Sequence, residues 1–405
     1  FLELLKYLTD GQQIPGQIVG TAWMSDGEVQ RTPDRHLIAD LDQLPFPAWD
    51  LFNLDCYNEN IHISNVPAMP IMGSRGCPFE CSFCASPHFW RRQTRFRSPE
   101  NVVAEMVENQ MCYGITHFHF YDDNFLLRPD WVAELCSRIR HQRLAHQWIC
   151  LSRAAAINRN TSLLPTMREA GCCGFEIGVE SGDERVLEST HKAQQLDEIP
   201  NALMQIAMAG FLYLGIQLMT FNEGETVNGH YRQSQFLAAL FQSLRPFDIR
   251  LSAESQFPFL GQFATPYPGT SFQHSAPLTG MVLAKHWSDY VTTRVNYIPT
   301  TLLNCSTRLT QSLDASALVV LDRVSRQRVF GCRSKDLEHL GQLPEMFKTF
   351  ESLQKDGTTI TTLARALSSF YGITEDLAFR FAAVNLVTAS QMGIVRSTET
   401  RSGLE

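Results

Sequence analysis

The sequence predicts an α/β fold in which a parallel sheet of about six strands forms an open, partial (β/α)6 barrel. Short apolar runs alternate with amphipathic segments of helical length between residues 69 and 256. Such alternation is typical of parallel strands joined by crossover helices. Glycine or proline marks many of the boundaries, and a hydrophobic content of 44% is enough for a core of ordinary size.

Local signals place each unit of this barrel. The first strand, Met69–Ser74, is a short apolar run, and the first helix follows Ser98, which can cap it, with Pro99 in its first turn. This helix is predicted to run to Tyr113. The later predicted strands are Ile115–Tyr121, Gln147–Ser152, Gly174–Glu180, Leu212–Thr220 and Asp248–Gln256. The later predicted helices are Pro129–His141, Ser162–Ala170, Gln194–Ala209 and Glu225–Leu244.

Three domains are predicted, with bounds 1–55, 56–300 and 301–405. The first contains a helix, two short strands (Gln17–Trp23 and Glu28–Arg31) and a connector with two prolines. The last is predicted to be small and mainly α, with a strand pair within Ala317–Phe330 and helices at 336–354, 358–370 and 378–392. That order resembles a winged-helix module of the kind that binds leader peptides; a helical lid or a dimerisation tail is the alternative.

Charge and cysteine usage narrow the function classes. The net charge of −8 argues against a dedicated nucleic-acid surface. No apolar stretch approaches the roughly 18–20 residues that span a bilayer, so no membrane partner is expected. The cysteines show no disulfide framework, which is typical of a reducing compartment. The sequence therefore predicts a cytoplasmic protein.

The most specific motif is a C-x3-C-x2-C loop formed by Cys77, Cys81 and Cys84. Three thiolates can hold three irons of a [4Fe–4S] cube and leave the fourth iron without a protein ligand. An open position is what a metal centre needs to bind a small molecule. The alternative is a zinc site with one ligand missing, but zinc loops usually pair with a second cysteine pair, and the sequence shows none.

The loop resembles the cysteine motif of the radical SAM superfamily. The resemblance implies a TIM-like partial barrel in which S-adenosylmethionine (SAM) chelates the open iron through its amino and carboxylate groups. An electron from the cluster would then cleave the sulfonium and give a 5′-deoxyadenosyl radical. By the same resemblance, Phe83, which precedes the third cysteine, should lie near the adenine.

Charged residues follow two of the predicted strands. Asp122 and Asp123 end the second strand, where carboxylates are costly to bury unless they face a pocket. In radical SAM relatives this strand end contacts the SAM amino group; an Asx turn leading to Pro129 is the alternative. Arg153 ends the third strand and could pair bidentately with the SAM carboxylate, or else form a structural ion pair.

The fourth strand ends in Gly178-Val179-Glu180-Ser181, which resembles the Gly-x-Glu-Ser ribose motif of the family. The resemblance implies that Glu180 accepts hydrogen bonds from the ribose hydroxyls and that Ser181 belongs to the same site. A helix start capped by Ser181 or Asp183 is the alternative.

Two flanking segments point to the branch of the superfamily that carries a cobalamin-binding domain. Residues 1–55, with their Leu44-Pro45-Phe46-Pro47 connector, resemble the tail of that domain and are expected to be its C-terminal remnant. A generic N-terminal extension is the alternative. The run Pro266-Tyr267-Pro268-Gly269-Thr270 is frequent in cobalamin-linked relatives. The resemblance thus implies cobalamin as a third cofactor.

The expected function is therefore that of a radical SAM enzyme, and specifically of a methyltransferase. The radical would abstract hydrogen from a small-molecule or peptide substrate, followed by cobalamin-dependent C-methylation in natural-product or modified-peptide biosynthesis. Flavodoxin or ferredoxin would supply electrons. The alternatives are a radical cyclase or oxidase, a methylthiotransferase-like enzyme, and a non-catalytic iron–sulfur protein on the same fold.

Overall fold

In the computed structural model of the protein, the described residues are concentrated in five stretches and in short pieces of the C-terminal part. The five stretches are 2–9, 18–54, 68–142, 146–252 and 262–286. The short pieces are 290, 297–299, 328–332, 358–359, 364–365, 368–369, 375, 378–379 and 395–399. The chain divides into two units, Phe1–Leu44 and Pro45–Glu405. The predicted domain bounds at 55 and 301 remain predictions.

The smaller unit contains helix α1 (Leu2–Thr9) and an antiparallel hairpin of β1 (Ala22–Ser25) and β2 (Glu28–Arg31). The hairpin turns at Asp26-Gly27, where both residues have positive φ angles of 52° and 82°. Because this tight turn pairs Ser25 with Glu28, the first strand lies later than the predicted Gln17–Trp23.

The larger unit is built on six parallel strands that form a half-barrel, as predicted. Directly after the first of these strands, β4 (Ser74–Arg75) and β5 (Arg95–Phe96) form a separate antiparallel hairpin. The strands of the sheet lie side by side in chain order, and a short strand, β11 (Gln262–Phe263), pairs with the end of the fifth. The six are β3 (Met69–Ile71), β6 (His117–Phe120), β7 (Gln147–Ser152), β8 (Cys172–Glu180), β9 (Tyr213–Thr220) and β10 (Arg250–Ser252).

Helices connect these strands, and the helix cap predicted at Ser98 is confirmed. Ser98 accepts a hydrogen bond from the Asn101 amide and so caps the helix that begins at Pro99. The helices are α2 (Ser86–Phe89), α3 (Pro99–Tyr113), α4 (Pro129–His141), α5 (Ala154–Arg159), α6 (Leu164–Glu169), α7 (Glu184–Ser189), α8 (Glu198–Met208), α9 (Val227–Leu244) and α10 (Ser271–Thr279). Short 3-10 turns lie at Leu41–Gln43, Trp49–Leu51, Phe125–Leu127 and Thr161–Leu163.

Some predicted helix bounds were wrong, for local reasons. The predicted helix Ser162–Ala170 is a 3-10 turn followed by α6, and α5 before it was not predicted. Helix α9 begins at Val227 rather than at Glu225, because the Thr226 side chain accepts from the Gly229 amide and caps it. The capping side chain sets the helix start more sharply than the hydrophobic pattern does.

The core lies between the outer face of the sheet and the helices. Alternate strand residues contribute large side chains that are fully buried against α3, α4 and α8, and Trp148 donates its indole N–H to the Ala170 carbonyl at 2.9 Å. The aromatic residues of this layer include Phe118, Phe120, Phe125, Trp148 and Phe175. The opposite strand residues therefore face the interior of the half-barrel.

The C-terminal part is described only in pieces. Strands β12 (Gly280–Val282) and β13 (Tyr297–Pro299) pair with each other, and β14 (Arg328–Cys332) lies between β15 (Thr358–Thr359) and β16 (Val395–Glu399). The predicted helix 358–370 was wrong at its start, where β15 pairs with β14. The predicted helices 336–354 and 378–392 lie largely or wholly outside the described residues. Within the described part of the chain, every helix is too short or too polar to cross a lipid bilayer.

Two glycines that precede strands of the sheet provide a matched test of the packing. Gly171 and Gly210 have φ angles of +89° and +76°, but a Cβ on Gly171 would lie 2.1 Å from the His146 carbonyl oxygen, whereas one on Gly210 would meet nothing within 4 Å. We expect Gly210→Ala to lower the free energy of unfolding by about 1 kcal/mol, from backbone strain alone. Gly171→Ala should lower it by about 3 kcal/mol or more, because the backbone must also move. Denaturant unfolding measures both, and equal losses would contradict the described packing.

Candidate active site

The cysteine loop is held at its base by the β4–β5 hairpin. Arg75 pairs with Arg95, and Gly76, directly before the first cysteine, has a φ angle of +100°. A Cβ on Gly76 would lie 2.2 Å from the Gln93 carbonyl oxygen, so only glycine allows the two ends of the loop to approach. The loop therefore leaves the end of β3 in a fixed direction.

Asp122 supports this base from the end of the neighbouring strand, β6. Its carboxylate accepts a 3.0 Å hydrogen bond from the Gly73 amide and a second hydrogen bond from the Ser74 hydroxyl. The residue is 1% exposed, and burial raises the pKa of its carboxyl group to about 6. Asp122 thus connects β6 to the start of the cysteine loop.

The three cysteines of the loop are free thiols. Cys81 is buried, Cys77 and Cys84 are partly buried, and the Cys84 amide donates to the Cys81 carbonyl at 3.1 Å. Burial raises the pKa of the Cys77 thiol and raises that of Cys84 to about 11. The neighbouring thiols and Asp123 raise the pKa of Cys84 further, so the three sulfur atoms lie within electrostatic range of one another.

No group of three His, Cys, Asp or Glu side chains among the described residues is arranged around a single metal ion. A cube of four irons needs a different arrangement, because each thiolate binds its own iron. Among the other cysteines, Cys112 lies on the surface of α3, and Cys136, Cys150, Cys172 and Cys173 are buried.

Arg153 connects the cysteine loop to the segment that follows α7. Its guanidinium lies 4.0 Å from the centre of the Phe79 ring, and Nη1 is 3.6 Å from the Cys81 sulfur. Nη2 donates to the carbonyls of Lys192 and Ala193. The side chain is buried at the first residue after β7, so it places a positive charge beside the thiols.

Asp123 lies on the exposed side of the loop. Its carboxylate accepts a 2.7 Å hydrogen bond from the Ser86 hydroxyl, two residues after Cys84. Its charge raises the pKa of both Cys77 and Cys84. The two aspartates that the sequence places together therefore differ: Asp122 is enclosed by the chain, while Asp123 is open to a ligand at the edge of the loop.

Glu180 ends β8 in an unusual backbone conformation. Its φ angle is +65°, and the pairing with β9 shifts by one residue between Gly178 and Glu180, which marks a β-bulge. The carboxylate forms a 2.7 Å ion pair with Nζ of Lys192, and both side chains are at least nine-tenths buried. A Cβ on Gly178 would lie 2.7 Å from Glu180 Oε1, so this glycine makes the room for the pair.

Ser181 is already engaged within the protein. Its hydroxyl donates to Gln233 Oε1 at 2.9 Å and accepts from the Asp183 amide at 3.1 Å. Asp183 in turn caps α7 by accepting from the Arg185 amide. The capping alternative from the sequence therefore describes Asp183, and Ser181 joins the end of β8 to α9.

Phe83 packs against a small apolar cluster formed with α10 and β13. The loop is fixed there by two backbone hydrogen bonds of 2.9 Å, from the Ser82 amide to the Thr190 carbonyl and from the Phe272 amide to the Ser82 carbonyl. The cluster contains Ala264, Phe272, Ala276 and Tyr297.

The structure thus brings the three cysteines, Asp123, Arg153 and Glu180 to one end of the sheet. Sequence reasoning missed Lys192 and Phe79, which contact Glu180 and Arg153. Lys192 lies 12 residues after Glu180 in the segment that follows α7, and only the fold brings the two together. Phe79 lies inside the cysteine loop itself, and its position between two cysteines was the available signal.

Comparison with known proteins agrees with this geometry. Residues 71–229 match the sequence model of the Radical SAM superfamily, from the end of β3 into the start of α9. An uncharacterised methyltransferase of Pyrococcus horikoshii is 30% identical over 292 residues, which cover 72% of this chain and 59% of the relative. An anaerobic magnesium-protoporphyrin IX monomethyl ester cyclase of Rubrivivax gelatinosus is 28% identical over 192 residues, covering 46% and 33%. The chain spans less than two thirds of the length of either relative.

A solved structure shares the fold. The cobalamin-dependent S-adenosylmethionine radical enzyme OxsB, with aqua-cobalamin and S-adenosylmethionine bound, superposes with a TM-score of 0.60 at 12% identity, covering 96% of this chain and 62% of OxsB. The predicted half-barrel is thereby confirmed. The superfamily model covers both the cysteine loop and the Glu180 strand end, so residues 71–229 of this chain form a radical SAM domain.

Proposed function

We propose that this chain holds a [4Fe–4S] cluster through Cys77, Cys81 and Cys84 and uses it with SAM in a radical reaction, most specifically cobalamin-dependent C-methylation of a small molecule or peptide. The observation that carries the proposal is the set of three free thiols at the carboxyl end of the half-barrel, with Arg153 Nη1 3.6 Å from one of them. Reactive groups of such barrels lie at this end of the strands.

The residues present suit these cofactors. Three soft thiolate ligands are the donor set for an iron–sulfur cube with one open iron, and the positive charge of Arg153 offsets the negative charge that thiolate ligation brings. When bound, the cluster and SAM supply a 5′-deoxyadenosyl radical, and cobalamin supplies a methyl group. A reductant such as flavodoxin or ferredoxin would deliver the electron.

The protein would position SAM through groups around the loop. Asp123 lies beside Cys77 and Cys84 and can accept from the SAM amino group. Glu180 can accept from the ribose hydroxyls, with Lys192 balancing its charge. Asp122, Arg153 and Ser181 are bonded within the protein, which favours supporting roles; direct contacts to SAM by these three remain predictions.

The expected contact between Phe83 and the adenine of SAM depends on where the nucleoside lies. Its ring packs on the α10 cluster, so contact with the adenine requires that the nucleoside reach that side of the loop. The Pro266–Thr270 turn ends in Thr270, whose hydroxyl caps α10 by accepting from the Gln273 amide. This turn therefore sets the direction of α10, against which Phe83 rests.

A radical cyclase is the second candidate, because the Rubrivivax gelatinosus relative is named as a cyclase. The residues around the cysteine loop serve both reactions equally, since both begin with the same radical. The two differ in the fate of the SAM methyl group. This difference provides a test that does not depend on the identity of any residue.

Removing a cluster ligand should abolish the first step. We expect the single variants Cys77→Ala, Cys81→Ala and Cys84→Ala to lose the brown iron–sulfur absorbance and to reduce SAM cleavage to background, because the cube loses a ligand. Anaerobic reconstitution, iron and sulfide analysis, and assay of 5′-deoxyadenosine with dithionite measure this. The control is Cys112→Ser, an exposed thiol on α3, which should retain both properties. Cleavage that survives in any of the three alanine variants would overturn the proposal.

Changing the Glu180 carboxylate, which would bind the ribose of SAM, should weaken SAM binding without loss of the cluster. We expect Glu180→Gln to raise the KM for SAM about tenfold, the loss of about 1.4 kcal/mol from a charge-assisted hydrogen bond. Iron content should not change, because Glu180 is not a cluster ligand. The matched control is Glu188→Gln, an exposed position on α7. An unchanged KM, or loss of iron together with SAM cleavage, would show that Glu180 is purely structural.

The fate of a labelled methyl group separates methylation from cyclisation. With SAM that carries a deuterated methyl group, a methyltransferase should form S-adenosylhomocysteine together with 5′-deoxyadenosine and move the label into the product. A cyclase should leave the label in methionine. Mass spectrometry of the nucleosides and amino acids after turnover decides between them, and label found only in methionine would contradict C-methylation.

A further inference from the structure

The inner face of the half-barrel carries a group of polar side chains below the cysteine loop. On β6, β8 and β9 the residues that alternate with the core-facing aromatic layer are His119, Glu176 and Gln217. Strand residues two apart face the same side, so these three side chains point into the interior of the barrel. We call them the inner polar cluster.

The members of the inner polar cluster contact one another. Gln217 Nε2 donates to Glu176 Oε2 at 3.1 Å, and His119 Nε2 lies 3.5 Å from the same oxygen. Glu176 is 3% exposed and His119 is 9% exposed. At 3.5 Å the imidazole is at the limit of hydrogen bonding, and no hydrogen bond to its Nε2 is formed among the described residues.

Small residues surround the cluster on the same face. Gly215 is the strand partner of Glu176, and a Cβ there would lie 2.8 Å from the Tyr213 hydroxyl and 3.0 Å from Glu176 Cγ. Gly178 lies two residues above Glu176, beside the Glu180–Lys192 pair. Larger residues at these two positions would displace the Glu176 side chain and the Glu180–Lys192 pair.

Apolar residues lie next to the cluster on the inner side of the sheet. Ala68, Ile149, Cys173 and Tyr213 form a buried group on the inner side of the sheet. Glu176 precedes Glu180 by four strand residues, which corresponds to about 13 Å along β8 at ~3.3 Å per residue. The inner face thus carries both apolar residues and the inner polar cluster, and the cysteine loop and Glu180 lie at the carboxyl end of the same strands.

His119 and Glu176 are buried and Gln217 is partly buried, and burying such polar side chains inside a barrel is unfavourable unless they are fully bonded or bind something. Apolar residues of similar size would stabilise the fold at least as well. The carboxylate, the amide and the imidazole converge on one point of the inner face, which is the arrangement of a binding site that has few but well-placed polar groups.

We propose that His119, Glu176 and Gln217 bind the substrate, and that the substrate class is a small molecule that presents a protonated amine to Glu176. A carboxylate in a low-dielectric interior binds a cation more strongly than a neutral donor. Held there, the molecule extends toward the cysteine loop, so the cluster sets which of its carbon atoms faces the radical. The role of the bound amine as the substrate rests on the proposed function, whereas the binding of an amine at this place does not.

The binding can be measured with a simple amine. Benzylamine and its neutral analogue benzyl alcohol serve as probes, titrated against the whole reconstituted protein by ligand-observed NMR. We expect benzylamine to bind at least tenfold more tightly than benzyl alcohol, and Glu176→Gln to remove that preference. The matched control is Glu169→Gln, an exposed position on α6 that forms an ion pair with Arg140, and it should leave the preference intact.

A second measurement covers the case in which Glu176→Gln does not fold. In the wild-type protein with isotopically labelled histidine, the ring signal of His119, identified by its loss in His119→Gln, should shift when benzylamine is added. Equal binding of the two probes, an unchanged preference in Glu176→Gln, or an unmoved His119 signal would overturn the inference. If the wild-type protein does not cleave SAM but still binds benzylamine here, the proposed function fails and the binding site stands.

Discussion

The position of the cysteine loop depends on one buried arginine. Arg153 is the first residue after β7. Its guanidinium contacts the Phe79 ring, the Cys81 sulfur and two carbonyls of the segment after α7. A buried guanidinium is stable only when its donors are engaged, so these contacts are mutually dependent. The loop and the segment that carries Lys192 are thereby fixed to the sheet by the same side chain.

The parallel sheet brings other functional residues close to Arg153 and so forms the candidate active site. Parallel strands bring their carboxyl ends to one edge, so the loop after β3, the aspartates after β6, Arg153 after β7 and Glu180 at the end of β8 become neighbours. The outer face of the same strands carries the aromatic core and the inner face carries polar residues and glycines. One face therefore supplies stability, and the other supplies space and chemistry.

Sequence patterns were sufficient for the order of the six parallel strands, for most of the helices between them and for the cysteine loop, since these depend on periodicity, caps and spacing. They were insufficient where long-range contacts decide. Asp122 and Asp123 are adjacent in sequence, yet one is enclosed by Gly73 and Ser74 and the other is exposed. Likewise, the Glu180–Lys192 pair depends on a bulge and a positive φ angle that no local motif specifies.

The same limit applies to the interior of the barrel. His119 and Glu176 lie on different strands, 57 positions apart in the chain, and only the register of β6, β7 and β8 brings them to 3.5 Å. A histidine or a glutamate in an apolar run gives no sign of its partner. The strand register, rather than composition, places polar groups together within a core.

Mössbauer spectroscopy of protein reconstituted with isotopically enriched iron examines the three-cysteine site itself. If Cys77, Cys81 and Cys84 hold a cube with one iron free of protein ligands, one iron in four should have a distinct spectrum, and addition of SAM should shift that subsite alone. Four equivalent irons that do not respond to SAM, or a protein that takes up no iron, would show that this loop is not a SAM-binding cluster site.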